Sequence, residues 1–386
     1  MGFGAIITAG ESFTVIDSIM PWITEARVEM ELSKPTRFAL RFEDDLCEGE
    51  PEVASDPTLS SNVMIGIFVH VAGALHCLVF GPITRIRTAS MVGGTGSWVE
   101  VHGEDRRAVM GRTATQMTWT GRASDVAKAV MGAYHIPCEV EPTLKEYADE
   151  QHGLSQRATD LAFLEDIARR NVLEFWIDYD TVERPGGTIS CTYTARMKSS
   201  PPKGGEFLIP GPPVLVADQG YTIALHPPPG ECVKVTKFEA RVDYERPNAA
   251  RGFGQAAETG ADVRTTGTHP LDPMTPDWTT LRQMQDVERI AVAPPETDPD
   301  EQQLAERAML NEAAWFVEVD CSTTLDLVKF CVKPHMIVDV QNAGTRLSGA
   351  YQVKTATHVI NAADHFIDFK LRANGLRPPQ HSAGVL

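Results

Sequence analysis

No stretch of the 386 residues reaches the roughly 18 consecutive apolar residues that a membrane-spanning helix needs. Met1 to Gly10 has neither a basic start nor a long apolar run, so the expectation is a chain without a standard export signal and without stable membrane insertion. Basic residues are scarce as well. Lys and Arg number 35 against 52 Asp and Glu, a net charge of -17, and a sequence-specific duplex reader needs clustered cations to displace counterions from phosphate. The seven cysteines (Cys47, Cys77, Cys138, Cys191, Cys232, Cys321 and Cys331) are odd in number and lack CxxC spacing. They read as reduced thiols of a cytosolically made protein, with Cys77, Cys191 and Cys331 as small hydrophobes in apolar patterns; no metal site is expected.

Catalytic signatures are missing too. There is no GxSxG, no P-loop and no HExxH, and the GxG formed by Gly94 and Gly96 lacks a third glycine, so Gly93 to Gly96 reads as a hairpin turn. The candidate acid/base groups are the pairs Asp178 with Asp180 and Asp364 with His365; Asp178 and Asp180, two apart on a strand, share a face. His358 and His365 flank a loop but fall short of the three or four ligands of a zinc site. The expectation is therefore no catalytic residue, no cofactor and no metal. The alternative is a β-rich enzyme or carbohydrate-binding module acting on a cell-envelope polymer.

What is present is alternation. Arg27 to Leu32 and Phe38 to Phe42 alternate around a Pro-containing turn and predict a hairpin, followed by strands at Val63 to Val71, Leu75 to Arg87 and Ser97 to Val101, with Gly66 as a candidate bulge. An acidic run (Glu43, Asp44, Asp45, Glu48, Glu50, Glu52, Asp56) interrupts them as a solvated loop; a second cluster is Glu296, Asp298, Asp300 and Glu301.

Residues 113–200 read as α+β: helices capped at Ser124 and Asp160, then strands at Leu173 to Tyr179 and Thr188 to Arg196. Proline clusters from Pro201 to Pro229 restrict strands such as Pro213 to Ala217 and Tyr221 to Leu225 to edges or connectors. Val233 to Asp243 is a strand, and Arg246 to Asp300 reads as a linker or arm. The chain closes on an amphipathic helix, Gln302 to Ala314, with Asp300 and Gln303 as a capping box, and strands at Trp315 to Asp320, Leu325 to Val332, Met336 to Gln341, Gly349 to Ile360 and His365 to Arg372.

The two strand sets echo each other. Gly81 to Trp98 and Gly349 to Phe366 share a spacing of seventeen positions, Gly66 to Gly81 and Pro334 to Gly349 one of fifteen, and Arg27 to Glu31 resembles Phe316 to Asp320. The fold class expected is mainly β with an α+β insertion and two similar small β-barrels. Its divisions are residues 1–112, 113–200, 201–300 and 301–386. Three such chains in a ring would present six like modules, an adaptor between threefold and sixfold objects. Trp98, Trp315 and Phe366 are its core or interface aromatics, Gly81 and Gly349 its corresponding glycines, and Arg346 the exposed cation of the Gly344 to Gly349 loop.

Three blocks carry a resemblance: Ala305 to Glu318, Gly344 to Val353 and Asp364 to Asn374, preceded by Thr159 to Arg170 with Phe175 to Ile177. Together they resemble the late-control-D family of tail hub proteins. The resemblance implies two tube-like barrels per subunit in the baseplate hub of a contractile phage tail or injection system. It further implies a homotrimer that joins a hexameric tail tube protein to a central spike protein, with baseplate wedge or tape-measure proteins as further contacts. DNA or cargo would slip past acidic walls. Such a particle is assembled in the bacterial cytoplasm and works as part of a virion or an extracellular contractile particle. Met1 to Trp22 and Arg246 to Asp300 have no counterpart in the family, and no needle-like repeat follows Leu376, which implies a spike tip on a separate chain.

Overall fold

The computed structural model describes residues 3–43, 53–91, 96–148, 153–185, 187–199, 221–226, 235–255, 262–268, 273–275, 277–285, 288–292 and 298–378. Most of Asp44 to Asp56, Gly93 to Thr95, the prolines from Pro201 to Pro213 and from Pro227 to Pro229, the Pro213 to Ala217 strand, Glu296, Cys47 and Cys232 lie outside those residues.

The architecture is mainly β. In chain order the first half contributes β1 (Ile6–Ala9), β2 (Ile23–Glu31), β3 (Arg37–Glu43), β4 (Met64–Val71), β5 (Ala74–Ala89) and β6 (Trp98–Glu104). The middle contributes α1 (Ala123–Gly132), α2 (Asp160–Arg170), β7 (Glu174–Arg184) and β8 (Thr188–Lys198). The last part contributes β9 (Lys237–Val242), α3 (Pro299–Ala313), β10 (Val317–Thr324), β11 (Ile337–Gln341), β12 (Gly349–Asn361) and β13 (His365–Ala373). Alternation sets the faces: Phe38, Leu40 and Phe42 of β3 point into the first core, and Ile367, Phe369 and Leu371 of β13 into the second.

One thirteen-stranded sheet joins both halves, in the order β9-β10-β13-β12-β2-β3-β6-β5-β4-β1 along its main path. That path is open; no closed barrel forms among the described residues. Within it the run β2-β3-β6-β5-β4 repeats as β9-β10-β13-β12-β11, every neighbouring pair antiparallel. The register repeats as well. A bulge in β5 between Ile83 and Arg85 faces Gly103 and His102, and a bulge in β12 between Val353 and Thr355 faces Leu371 and Lys370. Gly103 thus takes the place of Leu371, and Thr84 that of Lys354.

This register corrects part of the echo. Trp98 and Phe366 are equivalent, but on the long strand Ile83 matches Val353, so Gly81 stands opposite Tyr351 in the comparison rather than Gly349. The strand corresponding to Val317–Thr324 is Arg37–Glu43, and that corresponding to Ile23–Glu31 is Lys237–Val242.

Other local expectations shift for physical reasons. Ser124 lies inside the first turn of α1, where its N–H donates to Thr143 Oγ1 at 3.0 Å, and Arg122 occupies the cap position. The cap of α2 is Thr159, accepting from Ala162 N at 3.3 Å, which leaves Asp160 to accept from Tyr134 Oη at 2.7 Å. Asp298 caps α3 through Asp300 N at 2.8 Å, with Pro299 at the first helical position in place of a box at Asp300. Leu325 to Val332 is no strand: a helical turn, Leu325–Val328, ends at Lys329 in the left-handed region (φ 57°), while Val328 and Val332 still enter the core. Short apolar runs fix burial without fixing the backbone. In β4 the register shift falls between Ile67 and Phe68, not at Gly66.

Residues 246–300 are not a free linker where described. Ala249–Gln255, Asp262–Thr268 and Ile290–Val292 form a three-stranded sheet, and Trp278 and Leu281 are buried in the second core.

Candidate assembly surface

The middle part is clamped to both halves by buried polar groups. Arg107 and Asp105 are each 2% exposed at the side chain and meet at 2.7 Å. Arg107 also donates to Phe175 O at 2.5 Å and to Lys34 O at 2.7 Å, while Asp105 accepts from Thr36 N at 2.7 Å. On the other side Trp176 stacks on His335 with centroids 3.9 Å apart, and Arg372 reaches Glu174 at 3.4 Å. The insertion therefore contacts both strand sets.

The solvent face of the joined sheet alternates acids and bases. Asp320 accepts from Arg241 at 2.5 Å and Lys370 at 2.9 Å, Glu318 from Lys354 at 2.7 Å, Glu104 from Arg37 at 3.2 Å and Glu100 from Arg87 at 3.3 Å. Asp320 and Glu318 are held below the usual carboxylate range by these cations, against the cost of partial burial.

Trp98 and Phe366 lie on that face at equivalent ladder positions. The guanidinium of Arg41 sits 4.8 Å from the Trp98 ring centre, and Phe366 is 43% exposed. Trp315 is instead interior, 3% exposed, with Arg372 at 4.2 Å from its ring. Arg346 is exposed and donates to Tyr244 Oη at 3.0 Å. Gly81 is buried in β5, where a Cβ would lie 1.8 Å from Glu104 O, so the position has no room for a side chain. Gly349 opens β12 rather than sitting inside a turn; its φ is +153° and a Cβ would lie 2.4 Å from Trp278 Cζ2. Gly349→Val is accordingly expected to lower the thermal midpoint or abolish soluble protein, as read by thermal melts, while Arg346→Ala leaves the midpoint within about 2 °C.

Of the candidate groups, Asp178, His358 and His365 have structural partners. Asp178 pairs with Arg196 at 2.9 Å, and burial raises its pKa. His358 is fully buried, its Nε2–H donating to Val332 O at 2.8 Å. That carbonyl can only accept, so the bare Nδ1 of neutral His358 receives the Nε2–H of His365 at 2.8 Å. What the geometry offers is edges, a patterned face and hydrogen-bonded joints.

The chain has the fold of a phage tail protein. It superposes on the tail protein from Neisseria meningitidis MC58 with a TM-score of 0.61 at 14% identity, covering 96% of this chain and 97% of that one. The prophage MuSo2 43 kDa tail protein from Shewanella oneidensis gives 0.61 at 11% identity over 95% and 98%. The E. coli c3393 protein, described as a component of the type VI secretion system with structural similarity to the T4 tail proteins gp27 and gp5, gives 0.50 at 13% over 92% and 76%. No protein-family model and no curated protein matches the sequence. The fold implied by the resemblance of the closing blocks agrees with that of these neighbours, which belong to phage tails and a type VI secretion system.

Proposed function

We propose that the chain is a noncatalytic hub subunit of a contractile tail or injection particle. Three copies close into a ring that seats a sixfold tail tube on one side and a threefold central spike on the other. The observation that carries this reading is the repeated five-strand run, which supplies two like modules per chain in one continuous sheet. Tail fold and internal repeat together favour the adaptor over an enzyme of the cell envelope.

The first module corresponds to residues 1–112 with the insertion 113–200 behind it. The second draws on both remaining divisions, taking β9 from residues 201–300 and β10 to β13 from 301–386. With core packed against one face of the sheet, the charge-paired face carrying Trp98 and Phe366 is the one left to line the passage, where DNA or cargo would meet cations already neutralised by neighbours. Wedge or tape-measure proteins would contact the outer surface, and the particle would be assembled in the bacterial cytoplasm.

Light scattering of the purified chain with its spike partner should give a mass of three subunits of 42.2 kDa plus the spike, and particle imaging should show a threefold ring. A stable monomer in both measurements sinks the reading.

A further inference from the structure

The joint between the two modules is a strand pairing, and the same chain carries its two halves again, unused. Internally, Thr355 to Asn361 of β12 pair antiparallel with Glu25 to Glu31 of β2, with Ala356 opposite Met30 and His358 opposite Val28. The long strand of one module thereby joins the first strand of the other. By the repeated register, the equivalent segments are Arg85 to Ala89 of β5 and Lys237 to Asp243 around β9. Neither has a ladder partner on its outer edge among the described residues: β5 pairs β6 there and β4 only up to Pro82, and β9 pairs β10 alone.

Burial marks both edges as incomplete. In the internal joint, Ala356, His358 and Ile360 are fully buried, as are Ala26 and Val28, with Met30 at 6%. At the equivalent places Ile86 is 40% exposed, Thr88 is exposed, and Phe238, Ala240 and Val242 are only half-buried. These residues point to the core side of the sheet yet lack the neighbour that would cover them. An uncovered, alternating edge without proline is a template for another strand.

We infer that Arg85 to Ala89 of one copy pairs antiparallel with Lys237 to Asp243 of the next copy, reproducing the internal joint between chains. Ile86 then lies opposite Val242, Thr88 opposite Ala240, Arg85 opposite Asp243 and Ala89 opposite Glu239. The outward charges agree with this occupant. Arg85 meets Asp243 directly; Arg87 stands opposite Arg241 with Glu239 and Asp243 on its diagonals, and each arginine keeps its own carboxylate, Glu100 at 3.3 Å and Asp320 at 2.5 Å. The contact is head-to-tail: a free long-strand edge on one copy meets a free first-strand edge on the next, so it propagates around a ring in which internal and intermolecular joints alternate. The inference rests on the hub reading for the closure of that ring and adds which backbone edges close it.

The test is the double variant Arg87→Cys with Arg241→Cys, oxidised mildly and run without reductant. Directly opposed residues of an antiparallel pair lie within disulfide reach, with Cα atoms about 4.5–5.5 Å apart. Expected are covalent dimer and trimer bands that reductant removes and that wild type, either single variant and the out-of-register pair Thr88→Cys with Arg241→Cys lack. Circular dichroism under reduction verifies that each variant is folded, and Ala89→Cys with Glu239→Cys provides a second in-register pair should the first disturb the fold. A trimer by light scattering that neither in-register pair cross-links overturns the edge assignment and leaves the hub reading standing. A folded monomer overturns both.

Discussion

Arg107→Ala is expected to lower the stability of the chain by about 3–5 kcal/mol, the cost typical of leaving one member of a buried ion pair without its partner. The reason lies in how much this side chain closes. Its guanidinium satisfies the carboxylate of Asp105, the carbonyl of Phe175 from the insertion and the carbonyl of Lys34 from the β2–β3 turn. Truncation leaves the buried Asp105 carboxylate without its counter-charge and takes the buried donor from the Phe175 carbonyl, while the Lys34 carbonyl lies on an exposed turn. Because Asp105 also accepts from Thr36 N and Arg107 N, an unbalanced charge there disturbs the turn as well. Urea unfolding of wild type, Arg107→Ala and the pair Asp105→Leu with Arg107→Met separates charge from packing. The double variant should lose less than the single one, since both buried charges leave together. Equal midpoints for wild type and Arg107→Ala would show that the clamp contributes nothing.

The legible parts of the fold are those in which one face of a strand carries the signal. Phe38, Leu40 and Phe42, and Ile367, Phe369 and Leu371, announce their strands because a half-buried ladder demands period two, and Trp98 and Phe366 align because the last strand of each module has no insertion. The long strands resist alignment because the loops that follow the bulges at Thr84 and Lys354 differ in length, Ala89 pairing with Trp98 but Val359 with Phe366, so the equal spacing of Gly81 and Gly349 is a coincidence of register. The first strand of the second module was hidden differently. β2 and β3 are separated by a short turn, whereas β9 and β10 are separated by the small sheet, Trp278 and α3, and local similarity then favours Arg27 to Glu31 against the wrong partner. Long-range pairing leaves no local mark. For the same reason the two open edges could not be read from composition: Ile86 and Val242 are ordinary strand residues until the joint at Ala356 and Met30 shows what covers their equivalents. Arg107 gave no sequence signal at all, since nothing local distinguishes a buried arginine from a surface one.

The second large effect is acid lability, to which the pair His358 and His365 contributes beside His335, a third imidazole that burial pushes down to about 3. Burial is the main cause that pushes His358 down to about 3, reinforced by the neighbouring His365; burial likewise pushes His365 down to about 4, against the opposing pull of Asp364. The hydrogen bonds agree, because a proton added to Nδ1 of His358 would face the N–H of His365. In the unfolded chain both rings titrate near pH 6.5. Above that pH both states are neutral and the contribution is fully present. As pH falls below it, the unfolded chain binds protons that the folded chain refuses, and stability declines by roughly 1.4 kcal/mol per histidine for each pH unit until the folded pKa values are approached. Two histidines over two units represent about 5 kcal/mol, comparable with the whole stability of many domains. The carboxylates held low by cations, such as Asp320 and Glu318, lose their contribution in the same direction, but only once the pH nears the ordinary carboxylate range. The window from pH 6.5 to 4.5 is therefore diagnostic of the imidazoles. Urea midpoints of wild type should fall steeply across it, and those of the variant His358→Gln with His365→Gln should be lower at pH 7.5 yet markedly flatter. Parallel curves for the two proteins would show that the pair does not control the acid limit.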